Sequence, residues 1–314
     1  MNTLSHGLSW IDLGFLGRSD VIAAAIVQGS SGVALVDPGP TTCLATLESG
    51  LQAQGIRWND VRHILLTHIH LDHAGATGTI VRAHPHVSVL VHERGAKHMI
   101  DPSRLLESAT RVYGDQMDRL WGEFAAVPQA NIVSLSGGET IDAGGRTFDV
   151  AYTPGHASHH VSYFDPSSGV ALVGDVAGVC ALQGYVLPPT PPPDIDLEAW
   201  HESVDRILEW SPSTLFLTHF GAVTRVRPHM AELLDNLAVI AAAARESLPG
   251  PGSDEEKSER FADWLRQELR RQMTDAQVDA YVVAAGFKYL WFGLARYWRK
   301  RLASESSQPA VEAR

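Results

Sequence analysis

Thr67-His68-Ile69-His70-Leu71-Asp72-His73 places four groups able to bind a metal within six residues, directly after the apolar run Ile64-Leu65-Leu66. With 15 His in 314 residues, a His-x-His-x-Asp-His string arises by chance on the order of once in five hundred such chains. A loop leaving a buried strand can aim His68 and His70 at one point and turn Asp72 and His73 toward a second, giving two incomplete coordination shells side by side. Neither closes without ligands from elsewhere in the chain.

Three later segments offer such ligands in the same setting, the end of an apolar strand. Thr153-Pro154-Gly155-His156 follows Val150-Ala151-Tyr152, Gly174-Asp175 follows Val170 to Val173, and Thr218-His219 follows Leu215-Phe216-Leu217. Imidazole nitrogen and carboxylate oxygen suit zinc, iron or manganese when thiolate is absent, and a carboxylate between two cations can bridge them. Cys43 and Cys180, the two cysteines, are too few for a disulfide framework or a thiolate zinc site. Seven ligands for two metals is the natural count.

Composition narrows the class. At 45% hydrophobic and 19% charged residues the chain is an ordinary globular one, long enough for one large α/β domain with an extension, or for two domains. Its 25 Lys and Arg against 36 Asp and Glu leave a net charge of −11, which repels phosphates and argues against a nucleic-acid partner. No window approaches the roughly 18 consecutive apolar residues of a membrane span, and the start MNTLSHGLSWIDLG lacks a basic stretch followed by an apolar one. The expectation is a cytoplasmic protein with no membrane partner.

Strand patterns are read at Val21 to Val27 and Val33 to Val36, a hairpin closed by Asp37-Pro38-Gly39, and then at Val61 to Thr67, Val87 to His92, Ile132 to Leu135, Thr147 to Tyr152, Val161 to Phe164, Val170 to Val173 and Thr214 to Thr218. Helical patterns fall between them: one from a Thr41 or Thr42 cap to Gln54 with Gly55 as its left-handed end, then Ala76 to Ala83, Ser103 to Phe124, Leu197 to Trp210 and Pro228 to Ser247. Leu248 to Asp254, with two Pro and two Gly, reads as a linker, and everything beyond it as helix. The organisation expected is a catalytic domain over 1–248 with a helical insertion at 102–128, then a helical extension over 249–314 whose last ten or so residues are disordered.

These residues carry a resemblance: about 15–225 is similar to the metallo-β-lactamase fold superfamily. The resemblance implies an α/β (α+β) fold, a four-layer αββα sandwich, with a dinuclear site in which His68, His70 and His156 hold one metal, Asp72, His73 and His219 the other, and Asp175 bridges. All seven positions match. Asp37, in Leu35-Val36-Asp37-Pro38-Gly39, matches a recurrent element of the fold and implies a carboxylate that fixes the ligand loops. Thr153-Pro-Gly-His-Ala-Ser-His-His160, with Gly-Asp nineteen residues after His156, resembles the glyoxalase-II-like branch of hydroxyacylglutathione hydrolases and lactonases. That implies two divalent metal ions, zinc first with iron or manganese as alternatives, and a small-molecule acyl substrate. The reaction implied is hydrolysis of a thioester, ester or lactone through a metal-bridging hydroxide, with Asp72 and Asp175 catalytic.

Other members of the superfamily fit less well. Class B β-lactamases are exported and carry Cys or Ser where Asp175 stands, and quorum-quenching lactonases carry a Tyr shortly after the bridging Asp, where this chain has Val176-Ala177-Gly178-Val179-Cys180. A persulfide dioxygenase would use one iron on His68, His156 and Asp175. A phosphodiesterase is a further alternative, and a non-catalytic metal-binding module is opposed by the intact ligand set.

Around this core, Leu105, Leu106, Ala109, Val112, Tyr113, Met117, Leu120 and Trp121 recur at helical spacing and make the insertion an amphipathic helix on the body or a lid over the metals. His160 is expected beside the ligands without binding metal, His159 in solvent, and Tyr185 in the pocket lining. The tail stripe of Phe287, Tyr289, Leu290, Trp291, Leu294 and Trp298 implies a core or homodimer contact. By analogy with hydroxyacylglutathione hydrolases, Lys288 or Arg296 would reach the site.

Overall fold

The computed structural model describes residues 2–181 and 184–307. Its first sheet has seven strands in chain order: β1 (Asn2–Ser5), β2 (Leu8–Asp12), β3 (Ala23–Gly29), β4 (Gly32–Val36), β5 (Val61–Leu65), β6 (Ser88–His92) and β7 (Ile132–Leu135). The first four pair antiparallel, and β4 to β7 run parallel. The second sheet holds β8 (Thr140–Ala143), β9 (Arg146–Tyr152), β10 (Val161–Asp165), β11 (Val170–Leu172), β12 (Thr214–Leu217) and β13 (Gly221–Val223), again each beside its chain neighbour. β11 and β12 are the parallel pair there. The near-continuous apolar runs of β4, β5 and β6 follow from burial of both faces.

Val27, Val36, Leu65, Leu90, Phe148 and Phe216 fill the space between the sheets. The outer face of the first sheet is covered through Leu47, Ile80, Met99 and Trp121. These come from α1 (Leu44–Ala53), α3 (Thr77–Ala83), which follows the one-turn α2 (Leu71–Ala74), then α4 (Glu93–Ile100), and the insertion, α5 (Ser103–Tyr113) and α6 (Met117–Leu120) with its flanks. The outer face of the second sheet meets Trp200, Leu233, Phe261, Tyr281 and Trp291, supplied by α7 (Leu197–Glu209), α8 (Val226–Ser247), α9 (Asp254–Arg270), α10 (Asp275–Ala285) and α11 (Phe287–Ser307). The result is a helix–sheet–sheet–helix sandwich. No helix among the described residues is long and apolar enough to cross a membrane.

Several elements differ from the sequence reading. Thr41 and Thr42 do not cap α1: they sit in a 3-10 turn, and their hydroxyls donate instead to Gly75 and Glu123 carbonyls and to the Leu120 carbonyl, tying the insertion to the site loop. The insertion is not one helix, because Gly114 at φ +56° breaks it. α4, β1, β2, β8 and β13 are additional; the four strands are three to five residues long, too short for a clear alternation. Of the tail end expected to be disordered, 305–307 continue α11 and 308–314 lie outside the described residues. The aromatic stripe of α11 is used within the chain, with Phe287, Leu290, Trp291 and Leu294 buried in its own core.

Strand direction locates the site. β9 and β11 both pair antiparallel with β10, and β11 is parallel to β12, so β9, β11 and β12 end at one edge. The carboxyl ends of parallel strands are where ligands bind in open α/β sheets.

Candidate metal centre

Every candidate ligand lies just past a strand end, and glycine admits two of them. Gly155 precedes His156 at φ +129° with Trp200 packed against it, and Gly174 precedes Asp175 at φ +47° against the Thr67 hydroxyl, positions where a side chain would collide as well as strain the backbone. His68 Nε2, His70 Nδ1 and His156 Nε2 lie 3.0 to 3.3 Å apart. A tetrahedral ion with nitrogen ligands at about 2.0–2.1 Å sets those nitrogens about 3.3 Å from one another, so the cluster has the size of a metal shell.

The second group is Asp72, His73 and His219, with Asp72 Oδ2 at 3.2 Å from His219 Nε2 and 3.8 Å from His73 Nε2. Asp175 stands between the two groups: Oδ2 is 3.4 Å from His156 Nε2, while Oδ1 is 3.2 Å from His73 Nε2 and 3.7 Å from His219 Nε2. One carboxylate oxygen faces each cluster. His73 Nε2 and Asp175 Oδ1 are buried and hydrogen-bonded to nothing described, the condition of groups shaped to meet a cation.

The far side of each imidazole is fixed. His156 Nδ1 donates to the Pro189 carbonyl at 2.8 Å, His219 Nδ1 to the Val21 carbonyl at 2.6 Å, and His73 Nδ1 to Asp37 Oδ2 at 2.8 Å. The Thr67 hydroxyl gives its proton to Asp37 Oδ2 and so accepts from His68 Nδ1 at 3.0 Å. In all four rings Nε2 is thereby the nitrogen aimed inward, the one a metal would take. Asp37, fully buried at φ +50°, also accepts from the Thr67 amide at 2.8 Å and the Thr218 hydroxyl at 2.8 Å, pinning the ends of β4, β5 and β12 together.

The electrostatics divide in the same way. Burial pushes the imidazole of His70 down to about 4 and those of His68 and His156 below their usual range, leaving neutral ligands. Burial also opposes charge on His73, but Asp175, Asp37 and Asp72 outweigh it and hold its pKa well above the ordinary value. Burial raises Asp72 while His73 and His219 pull it further the other way, to about 2. A pocket that draws a proton onto a buried imidazole is equally attractive to a divalent cation.

A model of the metallo-beta-lactamase superfamily matches residues 18–219, a span that ends on the last of the seven ligand candidates. The chain belongs to the metallo-beta-lactamase superfamily. Within that superfamily it is 28% identical over 234 residues to the metallo-beta-lactamase fold-containing protein ST1585 of Sulfurisphaera tokodaii, covering 73% of this chain and 85% of the relative. It is 24% identical over 219 residues to a hydroxyacylglutathione hydrolase of Synechococcus sp. (strain JA-2-3B'a(2-13)), covering 66% and 72%. Among solved structures, the metallo-beta-lactamase family protein TTHA1429 of Thermus thermophilus superposes with a TM-score of 0.70 at 25% identity over 96% of each chain, so the likeness continues past His219 into the tail helices. The superfamily consists mostly of metallo-hydrolases, and the His and Asp cluster here is of the kind that binds divalent metal ions.

The centre forms the floor of a cavity of about 770 Å³ reached by Asp72, His70, His156 and Asp175. Its walls include Leu105, Val112, Tyr113 and Trp121 of the insertion and Val282, Val283 and Tyr289 of the tail, so the insertion both packs on the body and covers the candidate ligands. Lys288 and Arg296 do not reach the cavity: the first lies 3.8 Å from Glu259 and the second donates to the Pro193 carbonyl. Tyr185 does not line the cavity either; its ring packs into the helical core of the second sheet, and its carbonyl accepts from the Tyr281 hydroxyl. His160 sits beside His68 with its Nδ1 at 2.9 Å from the Thr153 hydroxyl, outside both clusters. His159, expected in solvent, is buried against His68 and His70 and takes a 3.4 Å hydrogen bond from the Ile69 amide. Nothing in its neighbourhood in sequence marks it apart from His160.

Proposed function

We propose that the protein is a dinuclear, metal-dependent hydrolase of activated acyl compounds, with thioesters first and esters and lactones within reach. The observation that carries this is Asp175, whose two oxygens face different histidine clusters, each completed by neutral or carboxylate-paired ligands. Two divalent ions, with zinc the first candidate for this nitrogen and oxygen donor set, would be held by His68, His70 and His156 on one side and Asp72, His73 and His219 on the other, and would supply Lewis acidity and a water with pKa near about 7. A single-iron site on His68, His156 and Asp175 would leave His70, Asp72, His73 and His219 without a ligand role, which disfavours the dioxygenase reading. Relatives named hydroxyacylglutathione hydrolase favour the thioester over the β-lactam.

The chain's own groups complete the chemistry. Water oxygen bonds to the acyl carbon, the carbon–sulfur or carbon–oxygen bond breaks, and the departing group takes up the proton. Tyr113 faces the cavity, and among the described residues its hydroxyl has no hydrogen-bond partner. Burial, with Asp72 nearby, keeps its pKa well above the ordinary phenol value, so it remains a proton-bearing donor to a substrate oxygen. Asp37, already accepting four hydrogen bonds, holds the ligand loops in place.

The test is a hydrolysis panel of thioesters, lactones, aryl esters, phosphodiesters and a β-lactam, with oxygen uptake on a persulfide as comparison and elemental analysis of the same sample. Thioester turnover that disappears with chelator, and falls at least about a hundredfold in Asp175→Asn together with loss of metal, is the expected result. Metal-independent turnover, or oxygen uptake in place of hydrolysis, contradicts the reading.

A further inference from the structure

The cavity over the candidate metal centre is lined by two unlike sets of residues. One is apolar and built from two elements that approach from opposite ends of the chain: Leu105, Val112 and Trp121 from the insertion, Val282, Val283 and Tyr289 from the tail. The insertion residues lie within the span matched by the superfamily model and the tail residues beyond it, so only the tail's share of this wall is outside that span. A small polar acyl group would leave much of this surface wet, whereas an apolar chain would dry it.

The other set is cationic. Arg94 and Lys97, three residues apart and so on one face of α4, and Arg104 in the first turn of α5 all line the cavity and are exposed. None forms an ion pair with another described residue; Arg94 lies 5.5 Å over the Tyr152 ring. The carboxylates on the same cavity are Asp72 and Asp175, which face the histidines, and Asp194, which accepts from the Ser158 hydroxyl. In a chain with net charge −11, these three cations, with Asp101 the nearby carboxylate that Arg104 acts on, gather positive charge along the cavity lining.

We propose, resting on the hydrolase reading above, that the substrate is amphiphilic: a long apolar acyl group lies between the insertion and the tail, and a polyanionic leaving group, bearing phosphates or carboxylates, lies against Arg94, Lys97 and Arg104. Hydrolysis then releases a fatty or similarly apolar acid and an anionic thiol or alcohol, one molecule of water being consumed.

Binding of unhydrolysable thioethers to the metal-loaded protein tests this apart from turnover. S-decyl-coenzyme A should bind at least about tenfold more tightly than S-ethyl-coenzyme A by calorimetry. Val112→Trp or Val283→Trp, each checked for an unchanged circular dichroism spectrum, should remove that preference while sparing the ethyl ligand. The combined variant R94A/K97A/R104A should weaken S-decyl-coenzyme A by about tenfold or more, and leave the ratio of decyl to ethyl affinity as in the parent. S-decyl-coenzyme A binding more tightly than S-decylglutathione assigns the rim to phosphates, and the reverse order assigns it to carboxylates. Equal affinity for ethyl and decyl ligands, or a rim variant that binds as the parent does, overturns the proposal. Tight, chain-length-dependent binding with no turnover of decanoyl thioesters overturns the hydrolase reading and leaves the pocket assignment standing.

Discussion

Asp37 receives four donors on two oxygens with no exposed surface, in a left-handed backbone conformation that non-glycine residues seldom adopt. Asp37→Ala leaves the Thr67 amide, two threonine hydroxyls and the His73 N–H without their acceptor, and should cost about 3–5 kcal/mol in a urea unfolding series. A loss under about 1 kcal/mol would show that the strand ends are not held through this carboxylate. At this scale the sequence is most readable where ligands are adjacent: His68, His70, Asp72 and His73 declare themselves by spacing, and His156, Asp175 and His219 by their place after apolar strands. Partners that act through the backbone leave no such trace. The Pro189 and Val21 carbonyls that set the tautomers of His156 and His219 are contacts any residue could make.

Among the elements, α7 links two ligand loops through one side chain. The Trp200 indole donates to the Val176 carbonyl at 2.8 Å, its ring lies 5.8 Å from that of His156, and its backbone packs on Gly155. Trp200→Ala should lower stability by about 3–5 kcal/mol. It should also speed metal loss to a chromophoric chelator, because His156 and Asp175 lose a shared support. A destabilised variant with parental metal-release kinetics would separate α7 from the site. The long apolar strands and α7 and α8 are legible within a residue or two, since burial on both faces or a clear helical stripe dictates them. The insertion reads as one helix because its apolar spacing runs on through Gly114, whose conformation only the surrounding packing fixes.

For the whole molecule, the tail reaches the candidate ligand His156 through the proline-rich loop. Gly293 of α11 packs directly on the backbone of Thr190 and Pro191, Thr190 donates to the Leu290 carbonyl at 3.1 Å, and the adjoining Pro189 carbonyl orients His156. Gly293→Val should push this loop away, costing about 1–3 kcal/mol and weakening metal retention although the substitution is on the opposite layer from His68. Parental metal affinity in a folded G293V protein would contradict that coupling. The tail reads as helix beyond the linker, and its first two helices open on capping boxes, Ser253 with Glu256 and Thr274 with Gln277, but its destination is not legible, since apolar stripes do not name the surface they cover. That is why the sequence points to Lys288 and Arg296 at a site where the tail instead presents apolar residues. The central claim, a hydrolytic centre of two metals bridged by Asp175, is tested most directly by titrating metal-free protein with zinc while following thioester hydrolysis. Activity that rises to its plateau only at two equivalents per chain is the result predicted, and a plateau at one equivalent, or turnover with none, would contradict it.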